Sequence, residues 1–111
     1  MPALLLAANA LASLALASAA PVDSAHEACA LAKARFSARN HFPTSRIGFC
    51  DLAAAADSPR GFHILTLHST RQCEGICSRW LGSFAVEKSS GRVFDWNVGE
   101  WELGAEVRQR Q

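Results

Sequence analysis

The stretch Trp80–Trp101, "WLGSFAVEKSSGRVFDWNVGEW", decides the fold because it contains two short apolar runs joined by a polar turn. A loop ending in glycine is common in β-hairpins, since glycine readily takes the left-handed conformation. If Lys88 pairs with Arg92 around the loop "SSG", Val86 faces Phe94, and apolar and polar residues separate onto opposite faces. The stretch therefore predicts an antiparallel hairpin with one face against a helix and the other partly in water.

Residues upstream of the hairpin predict a helix and two further strands. Ser24 and Glu27 have the spacing of a capping box, and the helix that they begin is expected to run to about Asn40. The segment "SRIGFCDLA" favours a short strand, and "FHILTLHST" is typical of a central strand. The predicted fold class is α+β, with one N-terminal helix packed on a curved antiparallel sheet of about four strands and held by disulfides.

The first nineteen residues have the layout of a secretory signal peptide. An uncharged, alanine-rich run leads into small residues, and cleavage after Ala19 satisfies the small-x-small rule. An uncleaved anchor is the alternative, but the run is short and weakly apolar beside the roughly 20 residues of a spanning helix. We therefore predict a signal peptide over 1–19 and a single periplasmic or secreted domain over 20–111, without membrane contact after cleavage.

The charge balance argues against one class of function, and the small size of the domain predicts covalent stabilisation. The chain has 11 basic and 10 acidic residues with no long run of either sign, a balance that argues against nucleic-acid binding. A domain of roughly 90 residues buries only part of its unfolded surface, so covalent stabilisation is expected.

Four cysteines can supply that stabilisation. Four thiols in a small exported domain usually form two disulfides, and three pairings of Cys29, Cys50, Cys73 and Cys77 are possible. We favour Cys29 with Cys50 and Cys73 with Cys77, and the two crossed pairings remain open. The first bridge would close a loop of about 20 residues and stabilise the fold by roughly 3 kcal/mol in the chain-entropy model.

Two other functions of these cysteines are less consistent with the spacing. A redox pair requires Cys-x-x-Cys, and Cys73 and Cys77 are one residue too far apart. A zinc site could combine them with His63 and His68, but residues five apart in a strand point to opposite faces. We predict neither a metal site nor a cofactor.

The region around the second cysteine pair is the predicted binding surface. A ring closed by Cys73 and Cys77 would hold its tip rigid, which lowers the ordering cost of docking into a partner. Tryptophan and arginine are enriched among the interface residues that contribute most of the binding energy. The predicted contact residues on and around this ring are Arg71, Glu74, Ile76, Arg79 and Trp80.

The segment Gly61–Asn97 resembles a pattern in small exported bacterial proteins of the immunity and inhibitor type. In those proteins a strand with a variable loop precedes a hairpin "xVDxxTGxVxxW", where this chain has Glu87 for the aspartate and Ser90 for the threonine. The run Ser90–Phe94 is also similar to the Ser-Gly-x-x-Tyr loop of periplasmic lysozyme inhibitors, with phenylalanine in place of tyrosine. The resemblance implies a protein partner.

Our first hypothesis is a non-enzymatic domain that binds another protein, such as a cell-wall hydrolase or a toxin. No phosphate-binding loop, nucleophile elbow, metalloprotease helix or calcium loop occurs in the sequence. A small thiol-redox or other enzyme using Cys73 and Cys77 is the second hypothesis. The third is a structural domain of a larger envelope complex.

Overall fold

A computed structural model describes residues 21–70 and 79–108, which form one helix packed on a five-stranded antiparallel sheet. The strands lie in the order β1-β2-β3-β4-β5, so each strand pairs with its neighbours in the chain. The predicted α+β class is confirmed, with five strands instead of about four. The elements are α1 Ala25–Asn40, β1 Ile47–Leu52, β2 Phe62–Ser69, β3 Trp80–Glu87, β4 Val93–Asn97 and β5 Glu102–Glu106, with single 3-10 turns at Thr44–Arg46 and Ala55–Asp57.

The predicted capping box begins α1. The backbone N–H of Glu27 donates to the Ser24 hydroxyl oxygen at 3.1 Å, as expected. The Glu27 carboxylate accepts from that same hydroxyl at 3.0 Å, not from the Ser24 amide that the motif predicts. The helix ends when His41 turns left-handed, at φ 51°, and its N–H donates to the carbonyl of Ser37.

The main core lies between α1 and one face of the sheet. Ala28 and Ala32 are fully buried, and their small side chains let the helix approach the strands closely. Phe36 meets Phe84 of β3 edge-on, with ring centroids 6.1 Å apart. The sheet contributes the buried side chains Leu65, Leu67, Phe84, Val86 and Val93.

A disulfide joins the helix to the edge strand. Cys29 and Cys50 are bonded, with an S–S distance of 2.07 Å, as the sequence predicts. Cys29 lies on the buried face of α1, and Cys50 lies in β1, so the bond connects the two layers across the core. The predicted Cys73–Cys77 pair lies outside the described residues.

The predicted hairpin forms, but its register is shifted by one residue. Val86 faces Val93 and not Phe94, because the loop between Glu87 and Arg92 has four residues. Gly91 takes the expected left-handed conformation, at φ 77°. The shift puts Val93 on the helix side of the sheet and the aromatic side chains of β4 on the other side.

The fifth strand, β5, follows a turn after β4 and was not predicted. It has no β-branched residue and a central Gly104, so the sequence shows little strand tendency. Pairing with β4 holds this segment in the strand conformation. Gly104 lies so close to Asp95 that a Cβ would contact the Asp95 backbone at 3.0 Å. Beyond its end, Val107 is buried and its N–H donates to the carbonyl of Val93 at 2.7 Å.

Val22 connects the segment before α1 to the sheet. Its side chain is 3% exposed, and its N–H donates to the Lys88 carbonyl at 2.7 Å. The Val22 carbonyl lies 3.2 Å from the Nε2 atom of His63 in β2. The folded unit therefore includes Val22. Over the described ranges, no helix has the length and apolar character to cross a membrane.

Arg92 and Glu106 form an ion pair between β4 and β5 that predicts a pH dependence. The Arg92 guanidinium donates to both carboxylate oxygens and holds the pKa of Glu106 below its ordinary value of 4.5, mainly through these hydrogen bonds. Because the folded pKa is lowered, this pair contributes stability above pH 4.5 that is lost as the pH falls through the folded pKa. We expect Arg92→Ala to raise the Glu106 pKa, as measured by NMR titration of its carboxyl carbon.

Arg108 supplies the control for this titration, since its Nε atom is 3.7 Å from the same carboxylate and its side chain is more exposed. Arg108→Ala should raise the Glu106 pKa less than Arg92→Ala does. An unchanged Glu106 titration after Arg92→Ala would contradict the assignment.

Candidate binding face

The face of the sheet opposite α1, here called the open face, has an apolar layer of its own. Ile64, Ala85 and Trp96 are buried there, with Phe62 and Phe94 packed beside them. None of the described members of this layer belongs to α1. The open face arises because the four-residue hairpin loop turns Phe94 and Trp96 away from the helix.

Three aromatic side chains of the open face are well exposed. Trp80 is 55% exposed, and Phe49 and Trp101 are each 47% exposed. Phe49 stacks on the imidazole of His68 with ring centroids 4.2 Å apart. Exposed aromatic side chains grouped on one surface mark an interaction site more often than scattered apolar residues do.

Of the predicted contact residues, Arg79 and Trp80 fall within the described ranges. Trp80 faces His68 across the β2–β3 ladder, and its indole N–H donates to the Ser83 hydroxyl at 3.3 Å. That bond holds an exposed ring on the open face, as a binding residue requires. Arg79 is exposed, and its carbonyl accepts from the N–H of Ser69. The other predicted contact residues, Arg71, Glu74 and Ile76, lie outside the part of the chain that the structure describes.

A shallow groove of about 210 Å³ lies on the open face between β1 and the β4–β5 turn. Asp51 is the only charged residue among the described residues that line it. The lining residues are Asp51, Leu52, Ala53, Ile64, Leu65, Thr66, Trp96, Val98 and Trp101.

Trp101, which lines this groove, adopts an unusual backbone conformation. Its φ is 57°, which is rare for a bulky residue and costs about 1–3 kcal/mol. The Trp101 ring packs edge-on against Trp96 with centroids 5.2 Å apart. Such strain persists only where the surrounding structure holds it, and it occurs often at functional sites.

Two buried polar atoms of the open face have no hydrogen-bond partner among the residues described. They are the Nε1 atom of Trp96 and the Nε2 atom of His68. A buried group without a partner costs about 1–3 kcal/mol, so native structures contain few of them. Trp96 also lines the groove and is itself 6% exposed, so its unpartnered N–H lies in a residue next to the groove.

The two histidines considered as zinc ligands lie on opposite faces of β2, as strand geometry predicts. His63 contacts the Val22 carbonyl on the helix side, whereas His68 stacks on Phe49 on the open face. In ranges 21–70 and 79–108, no group of three His, Cys, Asp or Glu side chains could hold a metal ion.

A second groove, of about 350 Å³, lies near the N-terminal end of α1 and differs in charge. Arg60 and Lys88 contribute to its lining together with His63. None of its described lining residues is acidic. The Asp51 groove and this second groove therefore differ in the charge of their described lining residues.

Comparison with known proteins finds no protein family, no curated protein and no solved structure that matches this chain. Its fold and its exposed side chains define a disulfide-bonded α+β domain with an aromatic open face.

Proposed function

We propose that this chain is a non-enzymatic periplasmic or secreted domain that binds another protein through the open face. The observation that carries the proposal is the exposure of Phe49, Trp80 and Trp101 on one face of the sheet. Tryptophan side chains provide large contact areas, and they are frequent among the residues that dominate binding energy.

The rigidity of the open face supports binding as its role. Trp80 is held by Ser83, and Ser83 and Thr66 share a hydrogen bond of 2.8 Å in the centre of the sheet. Side chains that are already ordered lose less conformational freedom when a partner docks.

The Cys29–Cys50 disulfide supports export. Structural disulfides form and persist mainly in oxidising compartments such as the periplasm and the extracellular space. Together with the leader predicted over 1–19, this bond favours a periplasmic or secreted location.

The partner that we propose is a cell-wall-degrading enzyme or a toxin, with this domain acting as its inhibitor or immunity protein. The resemblance of Gly61–Asn97 to such proteins suggests the class of partner. The carboxylate of Asp51 favours a partner whose contact surface is basic, because complementary charge speeds encounter and fixes orientation.

The experiment measures inhibition of purified hydrolases. The folded domain is titrated into a muramidase, an amidase and an endopeptidase acting on peptidoglycan, and the rate of lysis is followed. We expect stoichiometric inhibition of one of them. The double variant Arg79→Ala/Trp80→Ala should weaken that inhibition at least about tenfold.

His26→Ala serves as the control, because His26 is exposed on α1, away from the open face. Thermal melting of each variant separates lost contacts from lost folding. Failure to inhibit any of the three hydrolases would contradict the inhibitor role. Full inhibition by the double variant would remove Arg79 and Trp80 from the contact surface.

A further inference from the structure

We propose that the Asp51 groove receives an arginine side chain of the partner protein, with Trp101 as the surface on which it stacks. This inference rests on the proposed function, because it names the chemical group that the open face recognises. Three observations carry it: the charge of the groove, its aromatic wall and an indole N–H without an acceptor.

The negative charge of the carboxylates at and near the groove favours a positively charged ligand. Asp51 lines it, and Glu100 and Glu102 flank Trp101 in the chain. The ion pairs among the described residues involve Asp95 and Glu106, and none of these three carboxylates takes part in one. A basic side chain of a partner would supply a counter-charge to Asp51.

The aromatic wall favours arginine over lysine. A planar guanidinium can stack on the half-exposed Trp101 ring while it donates two parallel hydrogen bonds to the Asp51 carboxylate. The lysine ammonium has no such plane and no matching fork of donors. The volume of about 210 Å³ lies below the roughly 300–1,000 Å³ of small-molecule pockets, which suits one inserted side chain.

The indole N–H of Trp96 favours a peptide over a free cation. This group is buried and has no acceptor within the described ranges, whereas a peptide supplies a carbonyl oxygen beside each side chain. Trp101, which contacts Trp96 edge-on in a left-handed backbone conformation, is the exposed neighbour.

The experiment is an NMR titration of the full domain with N-acetyl-L-arginine amide. The control probe is N-acetyl-L-citrulline amide, which has nearly the same shape without the charge. We expect the arginine probe to shift the indole N–H signals of Trp96 and Trp101 in a saturable way. Asp51→Asn should weaken its binding about tenfold, as loss of a charge-assisted hydrogen-bonded pair predicts.

The control variant is Asp57→Asn, because Asp57 is an exposed carboxylate that does not line the groove. It should leave the affinity unchanged. Equal binding of the two probes, equal affinity of the Asp51→Asn variant, or no saturable shift would each overturn the proposal.

The inhibition assay and the arginine titration test the two proposals independently. Hydrolase inhibition that depends on Trp80, combined with no arginine binding, overturns the arginine groove and leaves the proposed function standing. Saturable, Asp51-dependent arginine binding without inhibition of any hydrolase supports the groove and overturns the inhibitor role.

Discussion

Replacing Phe84 by alanine is expected to lower the free energy of unfolding by about 3–5 kcal/mol, which is a large part of the stability of a small domain. Phe84 is fully buried at the centre of the core, edge-on to Phe36 of the helix. Its ring also lies under the Arg39 guanidinium and within 3.0 Å of where a Cβ on Gly82 would be. Removing the ring leaves a cavity between rigid layers that cannot close fully. Urea denaturation followed by far-UV circular dichroism measures the loss.

Phe49→Ala is the matched control, because the same ring is removed from an edge strand where it is 47% exposed. We expect it to cost less than about 1 kcal/mol. Similar losses for the two variants would contradict the placement of the core between α1 and the sheet.

Removing the Cys29–Cys50 bond by replacing both cysteines with alanine should lower the free energy of unfolding by about 3 kcal/mol. The bond closes a loop with a sequence separation of 21, so its loss restores conformational freedom mainly to the unfolded chain. Alanine at both positions leaves no unpaired thiol at either site. Urea denaturation of the purified, oxidised protein and of the purified variant measures the change.

Arg39→Ala tests whether any helix–sheet connection would have the same effect. Arg39 pairs with Asp95 of β4 at 2.9 Å, but both side chains are partly exposed, so its removal should cost less than about 1 kcal/mol. If the cysteine variant lost no more than Arg39→Ala does, the disulfide would not be a main source of stability.

Local sequence signals correctly predicted the start of the helix and the two faces of β2. The capping residues Ser24 and Glu27 marked the start of the helix, and the alternation in Phe62–Ser69 separated Leu65 from Ile64. These predictions succeed because capping and strand alternation act over only a few residues.

Local sequence signals did not determine the hairpin register. A glycine in the left-handed conformation at position 91 fits both a three-residue and a four-residue loop. Sorting by polarity did not separate them, because Val93 and Phe94 are both apolar and both faces of this sheet carry an apolar layer. The correct choice depends on long-range packing of Val93 against the helix side.

Prediction of the Asp51 groove depended on the hairpin register. With the predicted register Trp96 would have faced the helix, so no pattern indicated that it lies near Asp51 and Trp101. Trp80 was predicted as a contact residue because it follows the second cysteine pair in the sequence, and it is 55% exposed. The position of β1 and the β4–β5 turn at one groove was not predicted, since about 50 residues of chain separate them.

The burial of Val22 has a consequence for the predicted cleavage after Ala19. A peptidase that cuts after Ala19 must hold an extended chain on both sides of the bond, yet Val22 is docked against Lys88 and His63 only three positions downstream. If the leader predicted over 1–19 is removed after Ala19, we therefore expect cleavage to precede the docking of Val22, because a folded chain would hold the scissile bond too close to the sheet for a protease to reach.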